Sequence, residues 1–243
     1  MRDPSTLEKI YEIPSFGFRP HDICFLDSDT IAVTNHGEKE ILSNISFISF
    51  SQKKLINKIK IERTWGEMGH IIPVSKEEVF VSSVLPEIPR SKEVDLLEKL
   101  AEENSEKGTE ARVKLRNMVQ WLPAPMYRVQ KNGSFKRLWL EQEKNLFKNN
   151  FSICAISREN EIYASAHSRS HNMIIWKKWQ PYKIIRFNDT WHPAAVACSN
   201  DGAELMAASS GGTVKFFSTE NYEEIKEKAL RLGSGPVHIL SLK

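Results

Sequence analysis

Apolar residues in this chain recur at alternate positions in short runs, and the runs come in groups that resemble one another. "DICFLDSDTIAVTN" (Asp22 to Asn35), "SICAISRENEIYASA" (Ser152 to Ala166) and "AVACSNDGAELMAASSGGTVKFFS" (Ala195 to Ser218) share one layout. Each has a short apolar strand, a turn of Asp, Asn, Ser or Gly, and a second strand of alternating small and apolar residues. A further, poorer copy is "GHIIPVSKEEVFVSS" (Gly69 to Ser83). The runs that follow also correspond: "ISFISF" precedes "LINKIKI", "NMIIWKK" precedes "YKIIRF", "MYRVQKN" precedes "FKRLWLE", and "GTVKFFS" precedes "NYEEIKEKAL". Period-two alternation between turn residues is the strand and hairpin signal.

Four such strands every ~40–50 residues define the blade of a β-propeller. The expected fold class is therefore all-β: a propeller of four-stranded blades forming a single domain over 1–243. A sandwich shares the short strands but not the recurrence of whole units in register. One segment departs from the pattern. "SKEVDLLEKLAEENSEKGTEARVKLRNM" (Ser91 to Met118) has Ser91 as a cap, a stripe of Val94, Leu97 and Leu100, and Gly108 as an interruption. It predicts a helical insertion over 91–118 within the second blade, either a solvated excursion or a partner-binding arm. Four blades with "LEKIYEIP" before them and "GPVHILSLK" after them do not make a comfortable closed ring. Either the terminal strands share a fifth, partial blade, or the ring is incomplete and exposes edges that proteins normally cover.

Charge changes this picture little. The net charge of +3 comes from 34 basic and 31 acidic residues that are interspersed, without the clustered basic face that nucleic-acid binding requires. No stretch approaches the ~18 consecutive apolar residues of a membrane span. The opening "MRDPSTLEKIYEIP" has no apolar core of a secretory signal. A cytoplasmic location fits this chain, or a periplasmic one if an export signal lies upstream. Cys24, Cys154 and Cys198 are widely spaced and form no CxxC pair, so buried free thiols are expected rather than disulfides or a zinc site.

The stretch "IPSFGFRPHDICFLDSDTIAVTNHG" resembles a motif of a bacterial β-propeller family of unknown function, related in fold to WD-repeat and YVTN-type propellers. Gly17, Pro20, His21, Asp22, Asn35 and Gly37 match it, and His36 stands where the family has a glycine. "GHIIPV" and "AASSGGTVKFF" are similar to further strands of that family. The family has more blades and an export signal, so the resemblance implies a shortened member. It also implies proximity to imelysin-type iron-uptake genes, an association that assigns no activity.

The candidate chemistry lies with the histidines: His21, His36, His70, His167, His171, His192 and His238. No zinc-protease helix motif, nucleophile elbow, phosphate loop or dinucleotide fingerprint is present. "SSGG" (Ser209 to Gly212) reads as a tight turn. "HSRSH" reads as a hairpin loop with exposed histidines. His21, His70 and His192 each lie at the start of a first strand, so a propeller would bring them to one mouth of its channel. With Asp22 they could hold a metal or a small anion, or they could hydrogen-bond the backbone of the neighbouring blade and lock the ring. Two functions follow. One is a non-enzymatic module that binds a protein or small ligand at the channel face, linked to iron or metal uptake, with cofactors undetermined. The other is a lactonase-like, metal-dependent hydrolase using His21, Asp22, His70 and His192. No paired carboxylates are placed for acid–base work.

Overall fold

The computed structural model describes residues 6, 8–9, 11–36, 43–60, 68–83, 91–119, 122–138 and 141–231. Their strands form four antiparallel sheets, each of four strands paired in chain order. Blade 1 holds β1 (Phe18–Phe25), β2 (Thr30–His36), β3 (Asn44–Ser49) and β4 (Lys54–Lys60). Blade 2 holds β5 (Met68–Pro73), β6 (Glu78–Ser83), β7 (Met126–Gln130) and β8 (Phe135–Leu138). Blade 3 holds β9 (Asn150–Ser157), β10 (Ile162–His167), β11 (Asn172–Lys177) and β12 (Gln180–Arg186). Blade 4 holds β13 (Pro193–Cys198), β14 (Glu204–Ser209), β15 (Thr213–Ser218) and β16 (Leu230–Arg231). The first strands are neighbours in series, β1 beside β5, β5 beside β9 and β9 beside β13. This is the arrangement of propeller blades around an axis.

Because successive side chains on a strand point to opposite faces, each inner blade must bury two apolar surfaces. Ala32, Ile45, Phe47 and Ile59 of blade 1 meet Met68, Ile71, Val79, Val81 and Tyr127 of blade 2. Phe80, Met126 and Leu138 on the other side of blade 2 meet Ile153, Tyr163, Ile174 and Trp176 of blade 3. Ala164, Ala166, Met173 and Ile175 then meet Val196, Leu205, Ala207 and Phe217 of blade 4. The second seam is the most aromatic. The Arg128 guanidinium lies 4.0 Å from the Trp179 ring centroid and makes two hydrogen bonds to the Glu78 carboxylate.

The helices α1 (Lys92–Ala101) and α2 (Glu106–Val119) lie between β6 and β7. The Ser91 hydroxyl accepts the Val94 amide and caps α1. Val94, Leu97, Ala101, Ala111 and Leu115 form the shared core of the two helices. The break falls before Gly108, not at it, because the Ser105 hydroxyl accepts the Gly108 amide and starts α2 there. Gly108 is required for space: a Cβ would collide with the Glu103 carbonyl.

Two other expectations change, and a third is untested. "NYEEIKEKAL" does not run as a continuous fourth strand: it meets β15 at a single bridge, Glu224 to Phe217, and regular pairing resumes at Leu230. Residues 11–15 form no strand and are tied to blade 1 by the Tyr11 hydroxyl, which donates to the Phe50 carbonyl. "GPVHILSLK", with His238, lies outside the described residues. No helix among the described residues is long and apolar enough to cross a membrane.

His167 is fully buried rather than exposed. The Trp176 indole N–H donates to the Ser165 hydroxyl at 2.8 Å, and that hydroxyl lies 2.7 Å from His167 Nε2. Burial pushes the imidazole pKa down to about 3. An unfolded histidine takes a proton near pH 6.5, roughly its model value, while the folded one stays neutral until about pH 3. Stability in denaturant titrations should therefore fall as pH drops from about 6.5 toward 3. His167→Gln, which retains an acceptor for Ser165, should flatten that decline; an unchanged decline would contradict the assignment.

Candidate functional site

The first seam carries the polar cluster nearest to chemistry. β1 departs from regular pairing twice, between Phe18 and Pro20 and between Pro20 and Asp22. The backbone is left-handed at Phe16 and Arg19, and Gly17 has no room for a Cβ because the Asn35 side chain occupies that space. Such irregularities re-aim side chains. After them, Asp22 pairs with Thr34 and Cys24 with Ala32, so Asp22 shares the face that packs on blade 2.

There Asp22 Oδ2 accepts from His70 Nδ1 at 3.1 Å and from the Ile71 amide at 3.0 Å, while Oδ1 accepts the Ile23 amide at 2.8 Å. The Thr34 hydroxyl donates to the Gly69 carbonyl at 3.0 Å and accepts the Asp22 amide. The cluster thus fastens blade 1 to blade 2. The exposed His21 ring stands over it, its centroid 5.4 Å from that of His70 and 4.7 Å from that of His36.

Burial alone would raise the Asp22 pKa. The hydrogen bonds from His70 and from the Ile71 and Ile23 amides outweigh it and hold the carboxyl below its usual range. An ionised carboxylate only accepts hydrogen bonds, so His70 Nδ1 is the donor, and in the neutral ring Nε2 is then the nitrogen that carries the lone pair. This is the tautomer of a general base whose ring is oriented by a carboxylate.

The three histidines expected at one channel mouth fall into two places. His21 and His70 come together with Asp22. His192 engages blade 3 instead: its Nδ1 lies 3.3 Å from the Ser168 carbonyl, and its ring lies tilted against His171 at 4.5 Å between centroids. His36 joins the cluster unanticipated. Its pairing with Phe18 at the start of β1 is the signal that places it there. Among the described residues, no group of three or more His, Cys, Asp or Glu side chains is arranged to hold a metal ion.

The thiols are free but only partly buried. Desolvation, with the Asp22 charge adding to it, pushes Cys24 up to about 12, so it stays a thiol at neutral pH. "SSGG" is a tight turn: the Gly212 amide donates to the Ser209 carbonyl, and the Ser209 hydroxyl accepts the Thr213 amide.

No known family model matches the chain, and no curated protein sequence does. Solved structures do. A virginiamycin B lyase from Staphylococcus aureus superposes with a TM-score of 0.58 at 11% identity, over 88% of this chain and 56% of that one. A streptogramin B lyase gives 0.58 at 12% identity, over 91% of this chain and 57% of its own. The chain thus spans a little over half the length of these proteins, and the likeness establishes a β-propeller fold. It also corrects the expectation of a non-enzymatic binding module linked to metal uptake. That expectation rested on fold analogy, and these propellers are named as lyases.

Asp22 stabilises the fold through its ionised form. That contribution is fully present above about pH 4, near the ordinary carboxyl value, and is lost as pH falls through the lower pKa of the folded state. Asp22→Asn should lessen the loss of stability below about pH 4, part of which belongs to His167, while leaving the decline above it. An Asp22→Asn protein with the wild-type profile below pH 4 would contradict the seam assignment.

Proposed function

We propose that the chain carries an acid–base site of lyase type at the seam between blades 1 and 2. Asp22 is the orienting carboxylate, His70 the base and His21 the proton donor. The observation that carries this reading is the contact between Asp22 Oδ2 and His70 Nδ1, with the His21 ring beside it. An elimination needs no more than these groups can do. His70 Nε2 removes a proton from the carbon next to the one bearing the leaving group. The freed electron pair becomes the new carbon–carbon double bond, the bond to the leaving heteroatom breaks, and protonated His21 supplies that heteroatom's proton. Positioned imidazoles contribute about 10²–10⁴-fold to such transfers.

The names of the structural neighbours support the reaction class. The resemblance to the propeller family of unknown function supports the location, because Gly17, Pro20, His21, Asp22 and Asn35, which carry it, surround the cluster.

Virginiamycin B is the first substrate to try. Elimination leaves products whose masses sum to that of the substrate, whereas hydrolysis adds water, so mass spectrometry separates the two. The expected result is turnover without added water, with kcat/KM reduced about 10²–10⁴-fold by His70→Asn and also lowered by His21→Ala. Absence of turnover, products carrying water, or turnover that His70→Asn leaves unchanged would each refute the reading.

A further inference from the structure

Cys154 and Cys198 hold nearly the same place in their blades, and the small difference turns them toward each other. On β9, Cys154 pairs with Ala164 and Ser152 with Ala166. Ala164 and Ala166 belong to the face that meets blade 4. On β13, Cys198 pairs with Leu205 and Val196 with Ala207. Val196, Leu205 and Ala207 belong to the face that meets blade 3. Residues directly opposite on paired strands share a face, so both thiols point into the third seam.

One hydrogen bond fixes the register across that seam. The Ser152 hydroxyl accepts the Val196 amide at 3.2 Å. β9 and β13 are the first strands of successive blades around one axis, so they run in the same direction. Two residues further along each come Cys154 and Cys198. Serine has a short side chain, so this bond requires backbones that lie within side-chain reach of each other. A disulfide asks for the same closeness, with Cα atoms about 4.4–6.8 Å apart. Burial raises the Cys154 pKa, and Cys198 beside it raises it further, an influence that fades with separation. Cys24 meets no thiol in this way. The Asp22 carboxylate accepts the Ile71 amide, so the same two-residue step along β1 and β5 sets Cys24 beside Pro73.

We propose that Cys154 and Cys198 form a dithiol that closes to a disulfide between blades 3 and 4, with a small disulfide such as oxidised glutathione as the oxidant. Cys198 reacts first, because burial holds it less firmly as a thiol than Cys154. Its sulfur loses a proton and attacks one sulfur of the oxidant, whose S–S bond breaks to release one glutathione as its thiol. The Cys154 sulfur then loses its proton and attacks the Cys198 sulfur. The mixed disulfide breaks, and the second glutathione leaves as its thiol. Two electrons and two protons pass from the protein to the oxidant. The new bond closes a loop holding the whole of β10, β11 and β12, which restricts the unfolded chain.

Thiol labelling read by mass spectrometry tests this. The reduced chain, unfolded in denaturant, takes up N-ethylmaleimide at all three cysteines. The folded chain is incubated with oxidised glutathione at about pH 8.5, the ordinary thiol pKa, and then unfolded and labelled. It should now take up one label, on Cys24, with no glutathione attached and with Cys154 and Cys198 in linked peptides. Its unfolding should move to higher denaturant concentration, and dithiothreitol should reverse the shift. Cys154→Ser should stop the reaction at the glutathione adduct of Cys198 and abolish the shift; if that protein does not fold, Cys154→Ala takes its place. Three labels after oxidation, a lasting glutathione adduct on wild-type Cys198, or a disulfide that includes Cys24 would each overturn the proposal.

Discussion

The demand that each four-stranded sheet bury two faces governs everything else in this molecule. A strand's side chains alternate, so a sheet that satisfies one face leaves the other to the next sheet. At about 25 cal/mol per Å² of apolar surface, each seam is worth far more than any single polar contact. The seams set the spacing of the first strands around the axis. That spacing brings Asp22 on β1 within 3.1 Å of His70 on β5, forty-eight residues apart in the chain.

Two histidines show how the position of a seam decides chemistry. His167 lies inside blade 3 against Ser165 and Phe147. With no charge to support protonation, it is kept neutral and shut away from solvent. His70 lies at the edge of a seam, its side chain 13% exposed, against a carboxylate that is 29% exposed. There the carboxylate both orients the ring and can stabilise the imidazolium formed on proton uptake. The same side chain is sealed away without a charged partner in one place and held by a carboxylate at a solvent-accessible edge in the other.

The strand pairs were legible because the short runs of small and apolar residues in β2, β10 and β14 recur in register, and the turns before them are rich in Asp, Asn, Ser and Gly. Pro20, His21, Asp22 and His70 were legible as a group because blade repetition places first strands together. What escaped was set by contacts between segments. The two irregular pairings of β1 carry His36 into the cluster, and nothing in the local pattern announces them. His192 is drawn to Ser168 and His171 by the short turn at the end of β10. Hydrophobic alternation says nothing about that turn. The helix break before Gly108 depends on the Ser105 hydroxyl taking its amide, a capping preference that competes with the more familiar reading of glycine as an interruption.

The hydrogen bond from His70 Nδ1 to Asp22 sets the tautomer on which the proposed role of His70 as a base depends. Nitrogen-15 NMR of the imidazole near neutral pH measures this directly. The expected result is that the neutral form of the ring carries its proton on Nδ1, with the Nδ1 resonance shifting when Asp22 is replaced by Asn. A neutral His70 ring protonated at Nε2, or one whose resonances ignore the Asp22 substitution, would contradict it.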